Sequence, residues 1–106
     1  MIYLLHFERP INPDRPARHY VGYTRNLAAR IQSHRAGNSA RLLEVAHQRG
    51  IKFEITRVWE GSRADERKLK NHHNTPRYCP LCNATPRSLP LRELTPEEIK
   101  NELLPF

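Results

Sequence analysis

The chain has 106 residues, which suits one domain with a modest hydrophobic core. Hydrophobic residues make up 38% and charged residues 27%, as in soluble globular proteins. No apolar run approaches the length of a transmembrane helix, and the N-terminus lacks the pattern of a signal peptide. We therefore expect a cytoplasmic protein that does not interact with membranes.

The formal net charge is +7, and the excess lies in residues 1–82, which hold 15 of the 18 Lys and Arg but 7 of the 11 Asp and Glu. A basic surface of this kind is typical of proteins that bind nucleic acid, because phosphate neutralisation releases counterions. A basic surface that serves only solubility is the alternative.

The chain begins with a predicted strand, Met1–Phe7, which is apolar and rich in residues that favour strands. The segment Glu8–Ala17 holds three prolines and is predicted as a loop. A second strand follows around His19–Gly22. The two strands are most simply joined as an antiparallel hairpin with a long connection.

Two helices should come next. The first runs from about Asn26 to Ala36, with Thr24 as its N-cap and Gly37 as its terminator. The second covers roughly residues 39–49, with Asn38 as a possible cap.

The segment Ile51–Trp59 alternates as a third strand, with Phe53 and Ile55 on one face and Val58 on the other. Ser62 should cap a third helix. Helical spacing places four of its residues on one face: Glu66, Leu69, Lys70 and His73.

From Thr75 onward, prolines argue against regular structure until a short helix from Pro96 to about Leu103, which Thr95 should cap. The expected fold is α/β (α+β): a small three-stranded mixed or antiparallel sheet flanked by helices, in the order ββααβα plus a C-terminal tail helix. Residues 1–78 would form the domain, and residues 79–106 a proline-rich extension.

The extension contains a Cys-x-x-Cys pair, Cys79 and Cys82. With His72 or His73 the pair could form a structural zinc site, although adjacent histidines on a helix point in different directions and leave one ligand short. The alternative is a turn with reduced thiols packed on the core. Thioredoxin-like redox chemistry is disfavoured, because Pro80 and the residues after it cannot begin a helix cleanly.

Arg30 and His34 lie four residues apart on the first helix, so both should lean over the sheet end from which Tyr20 emerges. A tyrosine, an arginine and a histidine that converge there indicate a site for a phosphate ester. Taken singly, Tyr20 could be an ordinary half-buried strand residue, and Arg30 or His34 an ordinary surface residue.

Two short strand motifs, Met1-Ile2-Tyr3 and Tyr20-Val21-Gly22, precede Arg30 and His34, and Glu66 follows on a later helix. With this order of residues, the segment 1–75 resembles the GIY-YIG endonuclease superfamily. The chain departs from the family pattern at Met1, which stands where the first motif has glycine. The loop between the motifs is also longer than is common. The family often has a late asparagine near its site, for which there are three candidates: Asn71, Asn74 and Asn83.

The resemblance implies a catalytic set of five residues: Tyr3, Tyr20, Arg30, His34 and Glu66. Glu66 would bind a single Mg²⁺ (or Mn²⁺), which needs few protein carboxylates. Arg30 would stabilise charge on the phosphate, and Tyr20 would be the general base, helped by the metal, Arg30 or His34. Tyr3 would orient the water or Tyr20, and His34 could relay a proton.

The expected function is that of a metal-dependent DNA endonuclease, a hydrolase of phosphodiester bonds. No separate base-reading module is visible, so another protein or subunit could supply target specificity. One alternative is an inactive nucleic-acid-binding module of the same fold, and another is a small zinc-stabilised RNA-binding protein. The residues expected to contact nucleic acid are Gly22, Arg25, Arg35, Arg41, Lys68, Lys70 and Arg77.

Overall fold

Three antiparallel strands form the sheet: β1 (Ile2–Phe7), β2 (His19–Tyr23) and β3 (Phe53–Trp59). β1 lies between the other two. The computed structural model describes residues 1–14 and 17–104 and confirms the predicted α+β fold and element order. Two residues of the predicted loop between β1 and β2, Arg15 and Pro16, lie outside the described residues.

The helices are α1 (Leu27–Ala36), α2 (Arg41–Gln48), α3 (Arg63–Asn71) and α4 (Pro96–Glu102). A short 3₁₀ helix (Thr75–Tyr78) was not expected among the prolines. It is tolerated because its proline sits in the first turn, where a backbone N–H would have no helical partner. No helix in the described ranges is long and apolar enough to cross a membrane.

The start of α1 differs from the prediction. Asn26, rather than Thr24, is the N-cap, and its side chain accepts a hydrogen bond from the Ala29 N–H at 3.1 Å. Thr24 stabilises the turn before the helix instead, because its hydroxyl accepts a hydrogen bond from the Asn26 N–H at 3.0 Å. The turn that leads into the helix thus uses both side chains.

The start of α2 was also predicted wrongly. Asn38 does not cap this helix, because its N–H donates to the Ser33 carbonyl at 3.0 Å and so belongs to the end of α1. Gly37, in the left-handed conformation (φ 74°), makes this ending possible, as its position in the sequence predicted. α2 begins after Ala40 without a side-chain cap.

The third strand contains a bulge that sequence alternation does not reveal. Leu4 pairs with Arg57 and Leu5 pairs with Ile55, so Thr56 is an extra residue in β3. The extra residue brings Ile55 and Val58 to the same core, and the expectation that they lie on opposite faces is therefore wrong.

Each face of the sheet packs against its own hydrophobic core. On one face, α1 and α2 cover Tyr3, Leu5 and Phe7. On the other, α3 and the 3₁₀ helix cover Ile2 and Leu4, with Trp59 and Cys79 buried beside them. The edge strand β2 carries the second tyrosine motif.

The C-terminal extension packs against the same cores. Its backbone runs beside β3, where the Glu60 N–H donates to the Arg92 carbonyl and the Leu94 N–H donates to the Val58 carbonyl, both at 2.8 Å. Leu94 is buried, and Ile99 of α4 packs on the core under α1 and α2. The division at residue 78 stays a prediction about domain organisation.

Candidate active site

The first motif tyrosine lies across the second motif glycine. Tyr3 pairs with Gly22 between β1 and β2, and the Tyr3 side chain is fully buried. A Cβ atom at position 22 would lie 2.2 Å from both Cζ and Oη of Tyr3. Only glycine leaves room for the ring there. Gly22, which the sequence suggested as a nucleic-acid contact, is itself buried and makes space for Tyr3.

The Tyr3 hydroxyl is hydrogen bonded to His34 of α1, with 2.7 Å between Oη and Nε2. The other ring nitrogen of His34 is hydrogen bonded to the Ser39 hydroxyl. Burial, and next the Arg30 charge, lower the pKa of His34 to about 4. Burial is the main reason that the pKa of the Tyr3 phenol lies far above its usual value, and the neighbouring Tyr20 raises this pKa further. The Arg30 charge opposes the rise. At neutral pH both side chains are therefore uncharged.

Tyr20 completes an aromatic cluster with these two residues. Its ring centroid lies 6.2 Å from that of Tyr3 and 5.4 Å from that of His34. Unlike them it is only half-buried, and it borders an open cleft of about 660 Å³ whose wall includes Lys70 and His73. Of the three, Tyr20 is thus the side chain that a bound substrate could reach.

Glu66 lies on α3, which packs against β2 and β1 and contributes Lys70 to the wall of this cleft. Ser62 caps that helix as predicted, and Asp65 completes a capping box with it. Glu66 is 8% exposed, and Lys70 Nζ lies 3.4 Å from its Oε1. The same ammonium group lies 5.5 Å from the Tyr20 ring centroid. A single side chain, Lys70, therefore connects the acid to the second motif tyrosine.

A second, basic cleft of about 500 Å³ adjoins the cluster at the start of α1. It is lined by Arg25, Arg30 and Arg63. The Arg63 guanidinium carbon lies 5.2 Å from the ring centroid of Tyr23. Arg63 was missed in the sequence because no local spacing relates the first residue of α3 to the first turns of α1.

The remaining basic residues suggested for nucleic acid do not gather around these two clefts. Arg35 borders another cleft, and its guanidinium carbon lies 6.0 Å from the Phe53 ring centroid. Arg41 forms an exposed ion pair with Glu44 on α2. Lys68 and Arg77 are exposed, on α3 and on the 3₁₀ helix respectively.

The cysteine pair has different histidine neighbours from those expected. In the part of the chain that the structure describes, one group of His, Cys, Asp or Glu side chains could hold a metal ion: His6, His19, Cys79 and Cys82. His72 and His73 lie outside this group, which corrects the sequence-based choice. His72 ends α3, and the chain reverses at His73 (φ 53°) before the cysteines. The paired strands provide imidazoles instead, from positions remote in sequence.

A family model described as the GIY-YIG catalytic domain matches residues 2–78. The chain belongs to the GIY-YIG family. The matched segment contains all five residues of the expected catalytic set. No curated protein and no solved structure matches the chain.

GIY-YIG domains are endonuclease domains, so membership links the chain to phosphodiester hydrolysis in general. The GIY-YIG fold of this chain brings both motif tyrosines and His34 into one cluster. It places Arg30 beside that cluster and Glu66 one side chain away from it. These contacts connect β1, β2, α1 and α3, and the first and last residues of the set, Tyr3 and Glu66, are 63 positions apart in the chain.

Proposed function

We propose that this protein is a DNA endonuclease that hydrolyses phosphodiester bonds with a single divalent metal ion, Mg²⁺ or Mn²⁺. The observation that carries the proposal is the position of Tyr20. Its half-buried ring borders a cleft and lies against the neutral Tyr3–His34 pair, and Lys70, which forms an ion pair with Glu66, lies beside it. A reactive group, its support and a carboxylate thus meet at one edge of the sheet.

The donor set around Glu66 fits one Mg²⁺ that retains most of its water. Among the described residues no carboxylate cluster surrounds Glu66, which disfavours a two-metal site and suits a hydrated ion held by one acid. When bound, such an ion polarises the phosphoryl group and stabilises the leaving oxygen. Lys70 forms an ion pair with the Glu66 carboxylate. For Glu66 to bind the metal ion, the Lys70 side chain would have to move away, toward the substrate phosphates.

Tyr20 is the proposed general base. Acting as the phenolate, with its own proton released to solvent, Tyr20 would take a proton from the attacking water, and the positive charges of Lys70 and Arg30 would stabilise the phenolate. Tyr3 and His34 are better described as positioning residues, because both are buried and their mutual hydrogen bond holds the cluster together. A neutral His34 also avoids adding a buried charge next to Arg30.

The basic cleft next to the cluster is the proposed phosphate-binding surface. Arg30 would hold a nonbridging oxygen of the scissile phosphate and stabilise the charge that develops on it. Arg25 and Arg63 would contact flanking phosphates. Such contacts position the backbone without reading its sequence, so we expect low sequence preference unless a partner protein supplies it.

Asn74 is the proposed late asparagine of the site. Its Oδ1 atom is buried and has no hydrogen-bond partner among the described residues, whereas the Asn83 amide donates to the Pro76 carbonyl at 2.6 Å. Asn71 is exposed at the end of α3. A buried acceptor without a partner is uncommon and suits a site that is completed by substrate or water.

The test is nicking of supercoiled plasmid by the purified chain with Mg²⁺ or Mn²⁺. Three variants address the proposed roles: Tyr20→Phe, Arg30→Ala and Glu66→Gln. We expect each to slow nicking by a factor on the order of 10² or more, as removal of a transition-state contact does elsewhere. Circular dichroism and thermal melting must show that each variant is folded.

Matched controls are Arg67→Ala and Glu97→Gln, which alter exposed helical residues outside the clefts and should leave nicking unchanged. If wild type and variants bind DNA equally and none nicks it, the protein is a binding module of the same fold. Preference for RNA over DNA in competition, without cleavage, would favour the RNA-binding alternative.

A further inference from the structure

A second cluster of side chains lies beside the candidate active site and has no part in the proposed hydrolysis. His6 and His19 are directly paired between β1 and β2. Cys79 follows the 3₁₀ helix, and Cys82 lies three residues later. One ligand atom from each of the four residues lies within 4.8 Å of every other.

Four of the six separations between these atoms are close to those of a tetrahedron around zinc. With Zn–S near 2.3 Å and Zn–N near 2.0–2.1 Å, tetrahedral geometry requires N–S distances of about 3.6 Å and an N–N distance of about 3.3 Å. His6 Nδ1 lies 3.5 Å from Cys79 Sγ and 3.8 Å from Cys82 Sγ. His19 Nε2 lies 3.5 Å from Cys82 Sγ and 3.2 Å from His6 Nδ1.

The backbone holds all four ligands from rigid positions. The antiparallel ladder fixes the two histidines side by side on one face of the sheet. The Cys82 N–H donates to the Cys79 carbonyl at 3.2 Å, which closes a turn through Pro80 and keeps both thiols on one side. Two Cys and two His ligands at four fixed positions leave no open coordination site, the hallmark of structural rather than catalytic zinc.

We propose that His6, His19, Cys79 and Cys82 bind one structural Zn²⁺. Binding releases the two thiol protons, and the resulting site, with two thiolates and two neutral imidazoles, has no net charge. A neutral site suits its position, where Cys79 is fully buried and both histidines are partly buried.

The ion would join the C-terminal extension to the catalytic sheet. Cys79 and Cys82 lie just beyond the matched residues 2–78, whereas His6 and His19 lie within them. His19 directly precedes Tyr20, so zinc would also fix the end of β2 that carries the proposed base. This site shares no residue with the one proposed for a metal at Glu66, and the zinc proposal does not depend on nuclease activity.

The experiment measures metal content and coordination of the full chain. Elemental analysis should find about one zinc per chain after purification without chelators. Replacement by Co²⁺ should produce thiolate charge-transfer bands and the intense visible bands of tetrahedral cobalt. Cys82→Ser should weaken zinc binding at least about 100-fold, the loss expected if each of the four ligands contributes a quarter of the binding free energy of a structural zinc site. Because Cys82 is exposed, this variant should keep its packing.

The matched control is the double variant His72→Ala/His73→Ala, which should retain the cobalt spectrum and the zinc content. A chelator should lower the melting temperature of the wild-type chain, which tests the site without any substitution. The proposal is overturned if the wild-type chain binds no stoichiometric zinc or forms a Cys79–Cys82 disulfide instead. It also fails if Cys82→Ser binds cobalt as tightly as the wild-type chain with undiminished thiolate bands, or if those bands vanish in the histidine control.

Discussion

Gly22→Ala should destabilise the protein far more than an ordinary Gly→Ala change. The new Cβ would lie 2.2 Å from Cζ and Oη of Tyr3, whereas optimal contacts between carbon atoms are about 3.5–4.0 Å. The fully buried Tyr3 ring would have to move by more than about 1 Å into a packed core. Such overpacking typically costs about 1–3 kcal/mol.

The same movement would break the 2.7 Å hydrogen bond between Tyr3 and His34, which adds about 1 kcal/mol. We therefore expect the free energy of unfolding to fall by about 2–4 kcal/mol. For a domain of this size the melting temperature should fall by roughly 10–20 °C. Urea unfolding and thermal melting, both followed by circular dichroism, measure the two quantities.

Gly50→Ala is the matched control, because no atom lies within 4 Å of a Cβ at that position. Its positive φ (67°) should cost only about 1 kcal/mol. In a double-mutant cycle, Gly22→Ala should lower the free energy of unfolding much less in a Tyr3→Leu background than in the wild-type chain. If Gly22→Ala costs no more than Gly50→Ala, the steric explanation for the second motif glycine is refuted.

Three further predictions concern stability. The pKa of His34 is about 4 in the folded protein, against an ordinary 6.5. The stability contributed by the neutral imidazole is therefore complete above pH 6.5 and is lost as pH falls to 4. His34→Gln should reduce this dependence of the free energy of unfolding on pH, measured by urea unfolding at a series of pH values. Arg57→Met should lower the free energy of unfolding by about 2–3 kcal/mol, measured by chemical unfolding, and by more than Glu93→Gln. The reason is that the buried Arg57 guanidinium pairs with Glu93 and also donates a hydrogen bond to the Tyr78 carbonyl at 3.1 Å. Equal effects of the two substitutions would refute this. Thr95→Ala should cost about 1 kcal/mol through loss of the α4 capping box and leave DNA binding, measured by gel shift, unchanged.

The sequence alone determined the order of the strands and α-helices and the approximate position of each, although not the 3₁₀ helix. These features depend on local patterns: strand alternation, the Ser62 and Thr95 capping boxes, and the left-handed Gly37. The order of the five candidate catalytic residues was also readable, because their short motifs lie at characteristic spacings. That these five residues lie close together in space was an expectation from the sequence, and only the structure gives the distances between them.

Tertiary structure alone decided the features that depend on contacts between distant segments. The bulge at Thr56 follows from how β3 pairs with β1, and it moves Val58 to the face opposite the predicted one. The histidines near the cysteines come from two strands at least 60 positions earlier in the chain, since strand pairing, not sequence proximity, sets which side chains meet. The same reason explains why Arg63 went unnoticed: only the packing of α3 beside β2 brings it to Arg30.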